Sequence, residues 1–197
     1  NQAIQLDIDN DNSYYWRGKF YELQENFTMA LEDYEQAREL NPEDGDYYFS
    51  IAYCYQALEK YEESLATYFE YIEQFGQDAV VYNNMALIYR DYILDYEKAL
   101  QYFDKSIEIY PDYALYYANK AKLFYYELND LNNYLIFQDI AIEKNQKDFE
   151  RYNLISQKAN VLFENGNFED AKIETNKLID LNRDDPDGFY KLAMIYF

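Results

Sequence analysis

A small residue returns along the chain at Gly18, Ala52, Ala86, Ala121, Ala159 and Ala193, at intervals of 34, 34, 35, 38 and 34 residues. Four positions before each stands an aromatic or large apolar residue (Tyr14, Tyr48, Tyr82, Tyr117, Ile155, Phe189), and three positions after each stands another (Tyr21, Tyr55, Tyr89, Phe124, Leu162, Tyr196). The i, i+4, i+7 spacing puts all three on one face of a helix. A small residue at the middle of that face lets a second helix approach closely while the flanking rings fill the space above and below. A single helical pair cannot bury its apolar faces alone, so the period predicts a stack of helical hairpins.

The second helix of each pair has its own series: Ala30, Tyr34 and Ala37, then Ser64, Tyr68 and Tyr71, then Ala99, Phe103 and Ser106, then Asn133, Phe137 and Ile140, then Ala171, Thr175 and Leu178. Thr28 is the expected cap of the first of these helices, and Leu40-Asn41-Pro42 its end, because proline cannot continue a helix. Further breaks fall at Gly76, Pro111, Asn145 and Arg183. The expected hairpins are about 11–44, 45–78, 79–113, 114–147 and 152–185, with partial units at 1–10 and 186–197, forming one array over 1–197. The extra residue of the third unit falls near Tyr92 to Tyr96, and four extra residues around Asp148 to Arg151 lengthen a helix or loop. Ala3 to Asp7 repeats the pattern of Ala37 to Asn41, so the sequence is expected to begin and end in mid-repeat; the alternative is a frayed lead-in over Asn1 to Asp9 and a last helix that serves as a solvating cap.

Composition narrows the function. Seventeen basic residues against 38 acidic ones leave a net charge of −21, which opposes a nucleic-acid backbone or an anionic membrane as partner. Nothing in the sequence is long and apolar enough to enter a membrane directly. The single cysteine, Cys54, excludes a disulfide framework, is expected in a buried helix seam, and fits a reducing, cytoplasmic setting. The absence of an initiating Met leaves an upstream targeting segment open.

This phasing resembles the tetratricopeptide repeat, a 34-residue antiparallel helix pair. The resemblance rests on Tyr48, Ile51, Ala52 and Tyr55 in a first helix, and on Ala30, Tyr34, Ala37 and Pro42 in a second. Arg17 and Lys120 depart from it by standing where a large apolar residue is usual. Asn133 departs at a small position, and Thr175 at an aromatic one. The resemblance implies an all-α, right-handed superhelix whose first helices line a concave groove for a peptide or a partner helix. The groove positions it implies include Tyr15, Lys19, Phe49, Tyr53, Asn83, Leu87, Arg90, Lys122, Tyr125, Asn160 and Phe163. Of twenty such positions, three are basic and two acidic, far less acidic than the chain as a whole. Lys19, Arg90 and Lys122 are the side chains expected to orient an acidic group. Lys19, Asn83 and Arg90 also offer part of the carboxylate clamp of chaperone-binding relatives, but Tyr15 and Tyr53 depart from it.

The sequence contains no histidine, zinc-binding cysteine cluster or phosphate-binding glycine loop. No cofactor or metal is expected, and no enzyme. Asp7, Asp9 and Asp11 imitate the opening of a calcium loop, but Asn12 replaces its glycine and Gly18 stands where its glutamate belongs. The expected function is a non-enzymatic protein-interaction scaffold. The alternative is a spacer or self-assembling segment of a longer repeat protein, associating through open ends of the array.

Overall fold

The computed structural model describes residues 10–182 and 186–196. The expected closing turn at Ala3 to Asp7, the carboxylates of Asp7 and Asp9, and the break at Arg183 lie outside the described residues. Every regular element among the described residues is helical. Antiparallel pairs follow one another: α1 (Asp11–Leu23) with α2 (Phe27–Leu40), α3 (Gly45–Ala57) with α4 (Tyr61–Phe75), and α5 (Ala79–Ile88), continued by a π-helical turn over Tyr89–Ile93, with α6 (Tyr96–Ile109). Next come α7 (Ala114–Lys122), continued by a π-helical turn over Leu123–Glu127, with α8 (Leu131–Lys144), then α9 (Asp148–Glu164) with α10 (Phe168–Leu181), and finally α11 (Pro186–Tyr196). The chain divides into two compact units, the first ending at Tyr102 and the second beginning at Phe103.

Local chemistry sets the helix ends. The side chains of Asn10, Asp44, Asp78 and Asp130 accept from backbone N–H groups in the first turns of α1, α3, α5 and α8, which have no partner within the helix. At α2 the cap is Asn26, whose side chain accepts from the Met29 N–H at 3.4 Å. Thr28 lies two residues too late to serve, inside the helix.

All five loops between paired helices close in the same way. One residue in each adopts a left-handed conformation: Glu25, Glu59, Leu94, Asn129 and Gly166. The next N–H then turns back to the carbonyl of the apolar residue that follows the small one: Asn26 to Tyr21, Lys60 to Tyr55, Asp95 to Tyr89, Asp130 to Phe124 and Asn167 to Leu162. This is the Schellman closure of a helix. Its span is five residues in the first, second and fifth hairpins and six in the third and fourth, where the π-helical turns hold one extra residue.

That extra residue corrects the expected register of α8. Asn133, Phe137 and Ile140 are only partly buried, whereas Tyr134, Gln138 and Ala141 are enclosed. The π-helical turn at Leu123–Glu127 shifts the following helix by one position. The remaining added length enters α9, whose 17 residues begin at Asp148.

In the first unit one core cluster is Ala30, Leu31, Tyr34, Ile51 and Cys54, flanked by Tyr15, Tyr21, Phe27, Tyr55 and Leu58. Gly18 sits where a Cβ would lie 2.6 Å from Cε1 of the buried Tyr34, so only glycine fits this crossing. In the second unit, Tyr117, Ala118 and Ala141 form one cluster and Ala121, Tyr134 and Val161 another.

The basic residues that depart from the apolar pattern are partnered. Arg17 donates from Nε to Asp33 at 2.6 Å and pairs with it through its guanidinium. Lys120 is held by Asp104, with its ammonium 4.3 Å from the centre of the Phe137 ring. A third base, Lys158, stands at the equivalent position before Ala159 and bridges Asp139 and Glu174.

Candidate interaction surface

Three first helices of unit 1 carry seven of the expected groove residues. A cavity of about 380 Å³ is lined by Lys19, Glu22, Phe49, Ser50, Tyr53, Gln56, Tyr68, Asn84 and Leu87. It therefore gathers Lys19, Phe49, Tyr53 and Leu87. Each position follows from the repeat: Lys19 lies just after Gly18, and Tyr53 and Leu87 lie just after Ala52 and Ala86, so helices of one phase present them alike.

Tyr53 is 49% exposed, with its ring edge-on to Phe27, while Phe49 is half-buried against Tyr68 and Tyr71. Lys19 pairs with Glu22 at 3.2 Å, and its ammonium lies 5.6 Å and 5.5 Å from the ring centres of Tyr15 and Tyr34. Glu22 also accepts from the Tyr34 hydroxyl. Burial and this carboxylate push the Tyr34 hydroxyl pKa upward, so it remains a donor.

The other expected residues of unit 1 stand apart from the cavity. Tyr15 packs into the core beside Tyr34 and Tyr47. Asn83, expected on the open surface, is buried, and Asn84 takes the place at the cavity, donating to the Tyr68 hydroxyl at 3.3 Å. Arg90 lies in the π-helical turn and bonds its neighbour Asp91 through both Nε and Nη2. The sequence did not mark Ser50 or Asn84 and gave Tyr68 only within a second-helix series, because pattern alone does not tell which side chains border a cavity.

In unit 2 the expected residues divide among separate places. Lys122 lines a cavity of about 650 Å³ together with Leu115, Ala118 and Asn153, and with Lys144 and Lys147 from the end of α8 and the turn that follows. Asn160 and Phe163 border a smaller cavity of about 210 Å³, closed by Tyr190, Lys191 and Met194 of α11. Tyr125 packs on Tyr126 and Tyr134, donates to Glu164 at 3.2 Å and accepts from Asn165.

Burial pushes the Cys54 thiol up to about 12 and leaves it protonated in the core. Asp11, the one described carboxylate of the calcium-like run, accepts from Tyr47 and Asn41, which hold its pKa below the usual value. No group of three or more carboxylate or thiol side chains among the described residues is arranged to hold a metal ion. No helix among them is long and apolar enough to cross a membrane.

Comparison with known proteins finds repeats of one kind in this chain. The tetratricopeptide-repeat pattern matches residues 12–44 and again residues 79–113. No curated protein matches the chain. Among solved structures, yeast Tom70 aligns with a TM-score of 0.72 at 21% identity, over 99% of this chain and 41% of its own. The APC/C hetero-tetramer Cut9-Hcn1 aligns with a TM-score of 0.69 at 11% identity, over 100% of this chain and 38% of that one. YrrB, described as a TPR protein with an unusual peptide-binding site, aligns with a TM-score of 0.59 at 16% identity, over 96% of this chain and 95% of its own. The chain thus spans about two fifths of the Tom70 and Cut9-Hcn1 chains, and at these identities the likeness is one of fold. The two matched repeats and the hairpins around them show that this chain carries tetratricopeptide repeats.

Proposed function

We propose that the chain is a non-enzymatic scaffold that holds a segment of a partner protein, as a peptide or a helix, against its first helices. The observation that carries this reading is the unit 1 cavity, where Phe49, Tyr53 and Leu87 offer apolar surface beside the amides of Gln56 and Asn84. Aromatic rings bring large contact area with few rotatable bonds, and the amides suit the backbone of an extended segment. The described peptide-binding site of YrrB supports this reading by fold analogy alone.

The test is selection of peptides displayed on phage against the chain, followed by titration of the enriched peptides on wild type and on Tyr53→Ala. Peptides that bind unit 1 should lose about tenfold or more in affinity to Tyr53→Ala, the loss of one aromatic anchor. An empty selection counts against the scaffold, and undiminished binding of every enriched peptide counts against this cavity.

A second reading, self-association, rests on apolar faces left open on two helices. Trp16, Phe20 and Leu23 of α1 are exposed, as are Phe189, Ala193 and Met194 of α11, although the equivalent Ala52, Ala86 and Ala121 are fully enclosed. Sedimentation over a concentration series separates the readings, since only self-association makes the mass depend on concentration.

A further inference from the structure

We propose that the large cavity of unit 2 receives an acidic segment of a partner protein, a stretch in which carboxylates alternate with apolar side chains. This rests on the scaffold reading and gives unit 2 its own ligand chemistry. Three of the chain's 17 basic residues, Lys122, Lys144 and Lys147, line this one cavity. Two carboxylates answer them, since Lys144 pairs with Asp112 at 2.6 Å and Lys147 with Glu150 at 3.1 Å. Lys122 has no ion-pair partner among the described residues. The lining therefore carries one more positive charge than negative, in a chain whose net charge is −21. The positive end of α7 borders the same space with neither a side-chain cap nor an acidic residue in its first turn, whereas the first turn of α9 carries Asp148 and Glu150.

The walls decide between anions. Tyr113 and Leu115 are each more than two fifths exposed at the cavity, and Leu154 also lines it. A small anion would engage the lysines and leave this apolar surface wet. A nucleic acid would need a broad positive surface, which a lining with one positive charge in excess does not present. A peptide with carboxylates flanking an apolar side chain meets both features, with Asn153 and Gln157 available to its backbone.

The experiment repeats the phage selection on wild type, on Lys122→Glu/Lys147→Glu and on Lys122→Arg, each checked for helicity by circular dichroism. Wild type should enrich peptides rich in Asp and Glu, the double reversal should lose them, and Lys122→Arg should keep them. One enriched acidic peptide and its Asn/Gln analogue are then titrated. The acidic form should bind about tenfold more tightly and weaken as salt is added, since the lysines are only partly buried. Enrichment without an acidic bias, or a bias that survives the double reversal, overturns this inference while leaving the scaffold standing. An empty selection overturns both. Displacement of the bound peptide by an equal concentration of inorganic phosphate would mark a small-anion site and also overturn the assignment.

Discussion

Replacing Lys158 with Met should destabilise unit 2 although methionine is the residue found at the equivalent position of the third hairpin, Met85. Lys158 is 8% exposed and Glu174 is 5% exposed, and Nζ bonds Glu174 at 2.9 Å as well as Asp139. Burial raises the Glu174 pKa, but the bonds from Lys158 and Lys177 outweigh it and hold the carboxyl below its usual value. Removing the ammonium leaves Asp139 a route to water, because its side chain is 55% exposed. Glu174 has no such route: its Oε2 is already buried without a partner, and only the half-exposed Lys177 would still reach Oε1. Stranding one partner of a buried pair costs about 3–5 kcal/mol, and the surviving Lys177 bond puts Lys158→Met near the lower end, about 3 kcal/mol. Removing both charges with Lys158→Met/Glu174→Leu should recover most of the loss, since well-packed apolar residues replace such pairs at little cost. Urea unfolding followed by far-UV circular dichroism measures both. A single variant as stable as wild type, or a double variant no better than the single, refutes the reasoning.

Other outcomes follow from the same geometry. Gly18→Ala should cost about 1–3 kcal/mol, because its Cβ would meet the buried Tyr34 ring; a thermal midpoint equal to wild type would contradict the crossing. Leu94 is 58% exposed at φ 61°, so Leu94→Gly should stabilise the third hairpin by about 0.5–1 kcal/mol in a denaturant titration, and a loss would show that its side chain matters more than its backbone. Glu174 has a folded pKa below its unfolded value of 4.5, so its contribution is present above that pH and should fade as acid takes the pH down through the lowered folded value. An acid-unfolding profile of Lys158→Met/Glu174→Leu should be flatter than that of wild type in this range, and identical profiles would refute the assignment. Cys54 should resist alkylation in the folded chain and react fully in denaturant, and rapid native labelling would contradict its burial.

The hairpin plan was legible because the small residues and their flanking rings repeat at helical spacing, and Gly18, Ala52, Ala86, Ala121 and Ala159 are all enclosed as that spacing requires. The register of α8 was not. Both Asn133/Phe137/Ile140 and Tyr134/Gln138/Ala141 satisfy i, i+4, i+7, and the second set is less apolar. The π-helical turn that selects it leaves no mark in periodicity. Arg17 and Lys120 read as departures because their acidic partners lie 16 residues away on other helices, beyond a pattern confined to one helix. Among the candidate groove residues, phase located Phe49, Tyr53 and Leu87 at one cavity, but it could not distinguish Asn83 from Asn84, adjacent amides of which the first is buried and the second lines the cavity.

The partnered bases also bear on how a chain of similar hairpins assembles in order. Arg17, Ile51, Met85, Lys120 and Lys158 occupy one position in five successive first helices, and Asp33, Thr67, Tyr102, Phe137 and Glu174 occupy the matching position of the second helices. Repeats that resemble one another can exchange partners during folding, and shape alone would discriminate poorly between them. Here a swap that set α1 on α4 would put the Arg17 guanidinium against Thr67, and one that set α9 on α8 in place of α10 would leave Glu174 without its ammonium. Each mistake strands a charge, so the hairpins carry a chemical order that their common outline does not.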